Sequence, residues 1–293
     1  MHKYHSTALT NKGTAFSHAE RTKLGILGQL PHKVETLEEQ VQRAYIQYSA
    51  YDSDLKRNIY LRYLHDHNTV LFYKLVSQHL KQLLPIIYTP VVGVAVRNYS
   101  REFRQPQGIY IAYPDQEHIE AILTNSVSPG VQLFVATDGE GVLGIGDQGV
   151  GAMDIPVAKL MVYTLCAGID PAICVPIMLD VGTDNETLLN DPLYLGWRHS
   201  RVRGAEYHSF IAAFVAAVKK LFPDTFMHWE DFGFQNARKI LETYRHDICT
   251  FNDDMQGTAV VTLAALLAAV KHKAEVLEDQ QIVILVQEQR AWG

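Results

Sequence analysis

Apolar residues recur at helical spacing between residues 36 and 80 of the chain. Within this stretch they are Leu37, Val41, Ala44, Tyr45, Tyr48, Leu61, Leu64, Leu71, Leu75 and Leu80. Thr36 and Glu39 have the spacing of a capping box, in which two side chains satisfy backbone N–H groups at the start of a helix. The pattern therefore predicts a helical N-terminal layer.

Beyond Pro85 the apolar residues form short runs that end in Gly, Pro or Asp, as buried strands do. The runs cover residues 109–112, 131–137, 142–145, 173–179 and 226–229, and helical patterns lie between them at 155–166, 205–221 and 236–244. Strands that alternate with helices at this spacing predict an α/β domain with a mostly parallel sheet. Ligands of such sheets bind at the carboxyl ends of the strands.

The last apolar segments predict the start of a second domain. Residues 257–273 have the length and composition of a helix, and a strand-like run follows at 282–285. This order is typical of a Rossmann-type fold, in which a strand leads into a Gly-rich turn and a helix that hold a pyrophosphate. We therefore assign residues 1–256 to one compact domain and residues 257–293 to the start of a dinucleotide-binding domain.

The composition is that of a globular protein whose partners are small molecules or copies of itself. Hydrophobic residues make up 47% of the 293 residues and the net charge is -6, which does not favour binding to nucleic acid or to an anionic membrane. The longest apolar run, 258–270, is shorter than the roughly 20 residues of a membrane span. The three cysteines, which we interpret as buried core thiols, cannot all pair, and this suits a reducing cytosol. A cytoplasmic protein is expected.

Two pairs of carboxylates follow strand-like runs. Glu230 and Asp231 come after 225–229, and Asp253 and Asp254 come after 248–251. Four acids at the rim of one sheet would repel one another unless a cation lay among them, and their oxygens suit Mg²⁺ or Mn²⁺ better than zinc. The alternative is that each pair caps the helix after it, because acids are favoured at helix N-termini.

Two further side chains are candidates for proton transfer. Lys159 lies on an apolar helical segment, where loss of solvation would lower its pKa and make it a general base, although a lysine that extends to the surface is the alternative. Tyr88 is held between Pro85 and Pro90 and could donate a proton, or serve as a buried structural tyrosine. The Gly-rich run 144–156 lacks the spacing of a dinucleotide fingerprint, and tight turns explain it equally well.

Seven strings of the sequence, in order, resemble malic enzyme, the metal-dependent NAD(P) malate dehydrogenase that decarboxylates oxaloacetate. They are LTNKGTAFSHAER at 9–21, LPIIYTPVVG at 84–93, VATDGEGVLGIGDQG at 135–149, IPVAKL at 155–160, LDVGTDNETLLNDPLYLGWR at 179–198, WEDF at 229–232 and FNDDMQGTA at 251–259. The resemblance covers essentially residues 9 to 285. It implies oxidative decarboxylation of malate to pyruvate and CO₂ with NAD, or NADP, by a homo-oligomeric enzyme.

The resemblance also implies roles for individual residues. Tyr88 would be the general acid and Lys159 the general base, with Asp253 supporting the proton transfers of the lysine. The divalent metal, Mg²⁺ or Mn²⁺, would be held by Glu230, Asp231 and Asp254, and Asp254 is also assigned to the cofactor site. The metal polarises a carbonyl so that CO₂ can leave.

Two motifs depart from the family pattern. The arginine that follows the family's Asp-Gly-Glu motif, and clamps the malate carboxylate, is Gly141 here. Loss of such a charged partner is expected to weaken substrate binding by about 1.5 to 3 kcal/mol or more. The family's Gly-Met-Gly before Ile-Pro is also changed, because Ala152 and Asp154 flank Met153 and add a side chain and a negative charge.

The tail is a third departure. Residues 285–293 can be back-translated so that one T restored to the codon of Leu285 gives Phe-Gly-Ala-Gly-Thr-Ala-Gly-Met-Gly, which resembles the missing fingerprint. We interpret the tail as out-of-frame translation after a one-base deletion near Leu285 and expect a C-terminally truncated chain without dehydrogenase activity. The alternatives are metal-dependent oxaloacetate decarboxylation without hydride transfer, a malolactic-type enzyme, or a non-catalytic remnant that dimerises.

Overall fold

The computed structural model describes residues 7–142 and 144–283. The chain divides into two compact units, one of Met1–Glu102 with Met161–Ala172 and the other of Phe103–Leu160 with Ile173–Gly293. The division falls elsewhere than between residues 256 and 257, and that domain boundary stays a prediction.

The first unit is helical. Its helices are α1 (His18–Lys23), α2 (Leu37–Ser49), α3 (Asp54–His67), α4 (Thr69–Gln78), α5 (Leu80–Ile87) and α6 (Val91–Glu102). The predicted capping box at the start of α2 is confirmed, because Thr36 Oγ1 accepts from the Glu39 N–H and Glu39 Oε2 accepts from the Thr36 N–H. Apolar faces of these helices pack on one another through fully buried side chains such as Leu61, Phe72 and Leu83.

The second unit contains a five-stranded sheet. Its strands are β1 (Ile109–Ala112), β2 (Leu133–Thr137), β3 (Cys174–Asp180), β4 (Phe226–Trp229) and β5 (Thr250–Asn252), in the order β1-β3-β2-β4-β5. All four pairings are parallel, so the predicted α/β class is confirmed. The carboxyl ends of all five strands therefore meet at one edge of the sheet.

Helices connect or follow these strands. They are α7 (Ile119–Ser126), α8 (Asp154–Ala167), α9 (Glu186–Asn190), α10 (Gly204–Leu221), α11 (Phe234–Tyr244) and α12 (Thr258–His272). The core is formed by strand residues such as Phe134, Ile177 and Trp229 and by the apolar face of α10, which includes Phe210 and Phe214. The second departure from the family pattern fits this framework, because Asp154 is the first residue of α8, where a negative charge favours the helix dipole.

Two predicted strands are wrong or incomplete. In the run 142–145, the described residues 142, 144 and 145 belong to no strand of the sheet; Val142 is buried and forms an isolated antiparallel bridge to Gly146 across a turn. Its apolar character reflects burial of a loop side chain and not pairing in the sheet. In the run 282–285, Ile282 and Val283 belong to no regular element. Residues 284–293, including Leu285 and the tail, lie outside the described residues.

The interpretation of the cysteines as core thiols is also wrong. Cys166 and Cys249 are exposed and Cys174 is half-buried, although all three are free of disulfides. Their positions at the end of α8, at the start of β3 and before β5 explain this, since element ends lie near the surface.

Within the described residues, two helical stretches are long and apolar enough to cross a membrane, Gly149–Ala167 and Asp253–His272. Most of the first is buried within the protein and most of the second is exposed. The exposed stretch includes Val260 and Val261 of α12, with 65% and 70% of their surfaces accessible. Core helices of globular proteins meet the same criteria, so the pair is weak support for a membrane location.

Candidate functional site

The two acidic pairs lie side by side at the carboxyl edge of the sheet. β4 and β5 are adjacent and paired so that Trp229 lies opposite Asn252. Glu230 and Asp253 are the next residues on each strand, and the pairing therefore brings both pairs to one place. Glu230 and Asp231 are buried despite their charge, with 2% and 3% of their surfaces exposed. Buried carboxylates require compensation by cations or hydrogen-bond donors.

Three of these acids converge as predicted. One carboxylate oxygen from each of Glu230, Asp231 and Asp254 lies within 4.8 Å of the others. Asp231 adopts a left-handed backbone conformation with φ 56°, and its N–H donates to Asp254 Oδ2 at 2.9 Å. Burial of the carboxyl group, followed by the charge of Glu230, raises the pKa of Asp254 to about 6. The charge of Glu230 therefore adds to the effect of burial on this carboxyl group.

The alternative interpretation, that the acids favour helix N-termini, holds for Asp253 and Asp254, which lie in the first turn of the helical segment that leads into α12, although neither is its capping residue. The residue before α11 is Gly233, which makes no side-chain cap. A short π-helical turn, Asp253–Gly257, precedes α12, and its cap is Asn252, whose Oδ1 accepts from the Met255 N–H. Neither pair therefore serves to satisfy the N-terminal donors of the helix that follows it.

Lys159 brings the compensating charge. It lies on α8, and its side chain is only 13% exposed, so the alternative of a lysine that extends to the surface is wrong. Nζ lies 2.8 Å from Glu230 Oε1 and 2.7 Å from Asp253 Oδ2. One ammonium group thus joins the acid that follows β4 to the acid that follows β5.

His228 is a site residue that sequence reasoning missed. It is 1% exposed on β4, and its Nε2 lies 2.5 Å from Glu230 Oε2. A donor atom of His228 also lies within 4.8 Å of those of Glu230 and Asp253. The signal that could have found it is the alternation of a strand, which puts residues 228 and 230 on the same face.

Comparison with known proteins shows the family of the chain. A family model for the malic enzyme N-terminal domain matches residues 65–245, more than half of the chain. The chain belongs to the malic enzyme family. An NAD-dependent malic enzyme of Aeromonas hydrophila is 48% identical over 279 residues, which are 95% of this chain and 50% of that protein. One from Pseudomonas aeruginosa is 48% identical over 277 residues, covering 94% of this chain and 49% of the relative.

The chain spans about half the length of the curated malic enzymes it matches. Among solved structures, malic enzymes from Pyrococcus horikoshii Ot3 and Entamoeba histolytica match 68% and 87% of this chain, and 36% and 43% of their own chains. Their sequence identities are 24% and 22%, and their TM-scores are 0.37 and 0.39.

Tyr88, the predicted general acid of this malic enzyme chain, belongs to the first unit. It ends α5, and the Thr89-Pro90 peptide bond that follows is cis. Lys159, Asp253 and the three clustered carboxylates belong to the second unit. The structure brings the lysine and the acids together, and the role of Tyr88 stays a prediction.

Gly141, the position at which the family resemblance predicts an arginine, lies against one of the metal-ligand candidates, Asp231. Its N–H donates to the Asp231 carbonyl at 3.0 Å. A Cβ atom at position 141 would lie 2.6 Å from the Phe232 carbonyl oxygen, closer than side-chain atoms approach backbone. The absence of a side chain thus lets the turn after β2 close on the segment that holds Asp231.

Arg201 organises the loops beside the site. Its side chain is 1% exposed and forms a bidentate pair with Asp147, with Nε 2.9 Å from Oδ2 and Nη2 2.8 Å from Oδ1. Nη1 also donates to the carbonyl of Asp138, which follows β2. Asp147 in turn accepts from Thr183 and from the Asp184 N–H, beyond β3. Arg201 therefore ties together the loops that follow two neighbouring strands.

We expect substitution of Arg201 to be severe and substitution of Arg203 to be mild. Arg201→Met would leave Asp138 and Asp147 without their cation and lower the free energy of unfolding by about 3–5 kcal/mol. Arg203 pairs with Asp184 and Glu140 but is 55% exposed, and Arg203→Met should cost about 0–1 kcal/mol. Urea denaturation of both variants measures the difference. Equal losses in the free energy of unfolding would contradict the structural role assigned to the buried Arg201 side chain.

A second prediction concerns pH. Burial raises the pKa of Asp138 to about 6, although Arg201 and Tyr207 act in the opposite direction. The folded state therefore holds this proton to a higher pH than the unfolded state, and the free energy of unfolding falls as pH rises from about 4 to 6. Asp138→Asn removes the titrating group and with it this pH dependence of the free energy of unfolding. Relative to the wild type, the variant should gain about 3 kcal/mol between pH 4 and pH 7, since each pKa unit corresponds to about 1.4 kcal/mol.

Denaturation at pH 4, 5, 6 and 7 measures this prediction. A constant difference in the free energy of unfolding between the two proteins across that range would show that Asp138 has the same pKa in the folded and unfolded states.

A third prediction compares two glycines. Gly141→Ala should lower the free energy of unfolding by about 1–3 kcal/mol, because the new methyl group would clash with the Phe232 carbonyl. A Cβ atom added at Gly130 would have no other atom within 4 Å, and the backbone there is not left-handed. Gly130→Ala should therefore leave stability unchanged or slightly higher. Thermal unfolding measures both, and a neutral Gly141→Ala would show that the turn has room to move.

Proposed function

We propose that this chain supplies the substrate- and metal-binding part of the reaction of an NAD-dependent malic enzyme, which is the oxidative decarboxylation of malate to pyruvate and CO₂. One observation carries the proposal: the Lys159 ammonium lies within hydrogen-bond distance of Asp253 and Glu230, beside a cluster of three carboxylates. The names of the relatives support NAD as the nucleotide. A cytoplasmic location and a homo-oligomer belong to the same proposal and rest on composition and the family resemblance.

The donor set fits a hard divalent cation. Glu230, Asp231 and Asp254 offer only carboxylate oxygens, which suit Mg²⁺ or Mn²⁺. Burial and the charge of Glu230 together raise the pKa of Asp254, and a cation held among the three carboxylates would favour their charged forms. When bound, such an ion supplies a Lewis acid that polarises the carbonyl of a 2-oxo acid.

The protein's own groups account for the proton transfers. A lysine acts as a base only after it loses a proton, and Asp253 Oδ2, 2.7 Å from Nζ, is positioned to take that proton and return it. Neutral Lys159 would then accept the proton of the substrate C2 hydroxyl as hydride leaves for the nicotinamide. Tyr88 is proposed as the acid that protonates the enolate left after CO₂ departs.

A second candidate is metal-dependent decarboxylation of oxaloacetate without hydride transfer. It is favoured because the carboxylate cluster, Lys159 and Asp253 all lie within one unit of the described chain. This reaction needs a Lewis acid and a proton donor and no nicotinamide. A malolactic-type reaction uses the same groups and would differ in its product, lactate.

The test is Mn²⁺ binding by the purified chain, followed by electron paramagnetic resonance of the free ion. We expect saturable binding, and at least about a 10-fold loss of affinity in Asp231→Asn, because a ligand is removed. Asp224→Asn is the matched control, since Asp224 is exposed and outside the acidic cluster. Release of CO₂ from oxaloacetate and formation of NADH from malate, each with Mn²⁺, then separate the two reactions.

Distinct outcomes would contradict each part. If the wild-type chain binds Mn²⁺ no more tightly than Asp231→Asn, the proposed metal site is contradicted. Binding with CO₂ release but no NADH would support the second candidate over the first, and lactate as the product would indicate the malolactic-type reaction.

A further inference from the structure

The buried imidazole of His228 contacts Glu230, a residue of the candidate metal centre. His228 and Glu230 are two residues apart at the end of β4, so their side chains point to the same face. Nε2 lies 2.5 Å from Glu230 Oε2, and both residues are almost fully buried, at 1% and 2% exposure. An ionised carboxylate only accepts hydrogen bonds, so the Nε2–H group donates to it.

The two oxygens of Glu230 are therefore held by different groups. Oε2 accepts from His228, and Oε1 lies 2.8 Å from Lys159 Nζ. Rotation of the carboxylate about its terminal bond would break both contacts within a buried environment, where such losses are costly. The orientation of Glu230 toward Lys159 and the neighbouring acids is thus fixed from both ends.

The imidazole is itself held in place. The ring of Phe251, which lies opposite His228 in the pairing of β4 and β5, packs against it edge to face, with centroids 5.4 Å apart at 84°. Position and direction of the Nε2–H group are consequently set by the sheet. A neutral imidazole with its proton on Nε2 is sufficient for this contact, so charge on the ring is not required.

We propose that His228 is a positioning residue that orients Glu230 for the divalent cation. The inference rests on the proposed function, in which Glu230, Asp231 and Asp254 bind Mg²⁺ or Mn²⁺. Carboxylates that bind metals are commonly held by hydrogen bonds from an outer layer of residues, and loss of such a partner typically weakens metal binding by about 10- to 100-fold. His228 is not itself a ligand in this arrangement.

The test compares two substitutions of His228. His228→Gln keeps an N–H donor near the position of Nε2, whereas His228→Leu fills similar space without a donor. We expect Mn²⁺ affinity within about 3-fold of wild type for the glutamine variant and about 10-fold or more weaker for the leucine variant. The paramagnetic resonance spectrum of bound Mn²⁺ should change for leucine alone, which a purely structural role would not produce. His246→Leu, at an exposed histidine, is the control and should leave both measurements unchanged.

The outcomes separate this inference from the proposed function. If the wild type fails to bind Mn²⁺, the proposed function fails and the role of His228 falls with it. If the wild type binds and His228→Leu binds equally well, only the role of His228 is overturned. Should the leucine variant not fold, His228→Asn replaces it, because asparagine places its donor near Nδ1. Binding by the asparagine variant as tight as by the glutamine variant would then overturn the inference.

Discussion

The candidate site depends on the ion pairs that the Lys159 ammonium forms with Glu230 and Asp253. A parallel sheet brings the residues that follow β4 and β5 to one edge, and here those residues are four acids. Burial, followed by the charges of Glu230 and Asp253, raises the pKa of Asp254, and the charge of Lys159 lowers it. With Nζ within 2.8 Å of one acid from each strand, the lysine compensates the charge that the topology gathers. The same contacts give it partners for proton exchange.

Arg201 performs the corresponding task for the acids beside the site, with a different chemical outcome. Its bidentate pair with Asp147 holds the loops after β2 and β3. A guanidinium stays charged throughout the accessible pH range and matches a carboxylate in shape, so it suits a permanent staple. An amine can lose its proton when its surroundings change. The chain therefore uses arginine where it needs support and lysine where the family chemistry needs a base.

The sequence predicts the parts of the site that follow from chain order. β1 and β4 have the predicted bounds, and the acids after β4 and β5 converge because parallel strands end at one edge. Contacts between distant segments were not accessible to the same reasoning. The position of Lys159, inward or at the surface, depends on partners far along the chain. His228 was overlooked because its partner is a carboxylate and not a second histidine. Val142 is apolar because it is buried in a turn, and this apolar pattern was interpreted as a strand.

Gly141 shows how a departure from a family pattern is absorbed by the backbone. The sequence resemblance predicts that the glycine replaces an arginine and that binding of the substrate carboxylate is weaker as a result. In the structure, the space beside position 141 is taken by the Phe232 carbonyl, and the Gly141 N–H holds the carbonyl of Asp231. Because that hydrogen bond and the one from Asp231 N–H to Asp254 lie on either side of the same left-handed residue, they fix its conformation together. An arginine at position 141 would therefore have to displace the segment that carries Asp231, so the turn after β2 supports the acidic cluster and does not simply lack a substrate clamp.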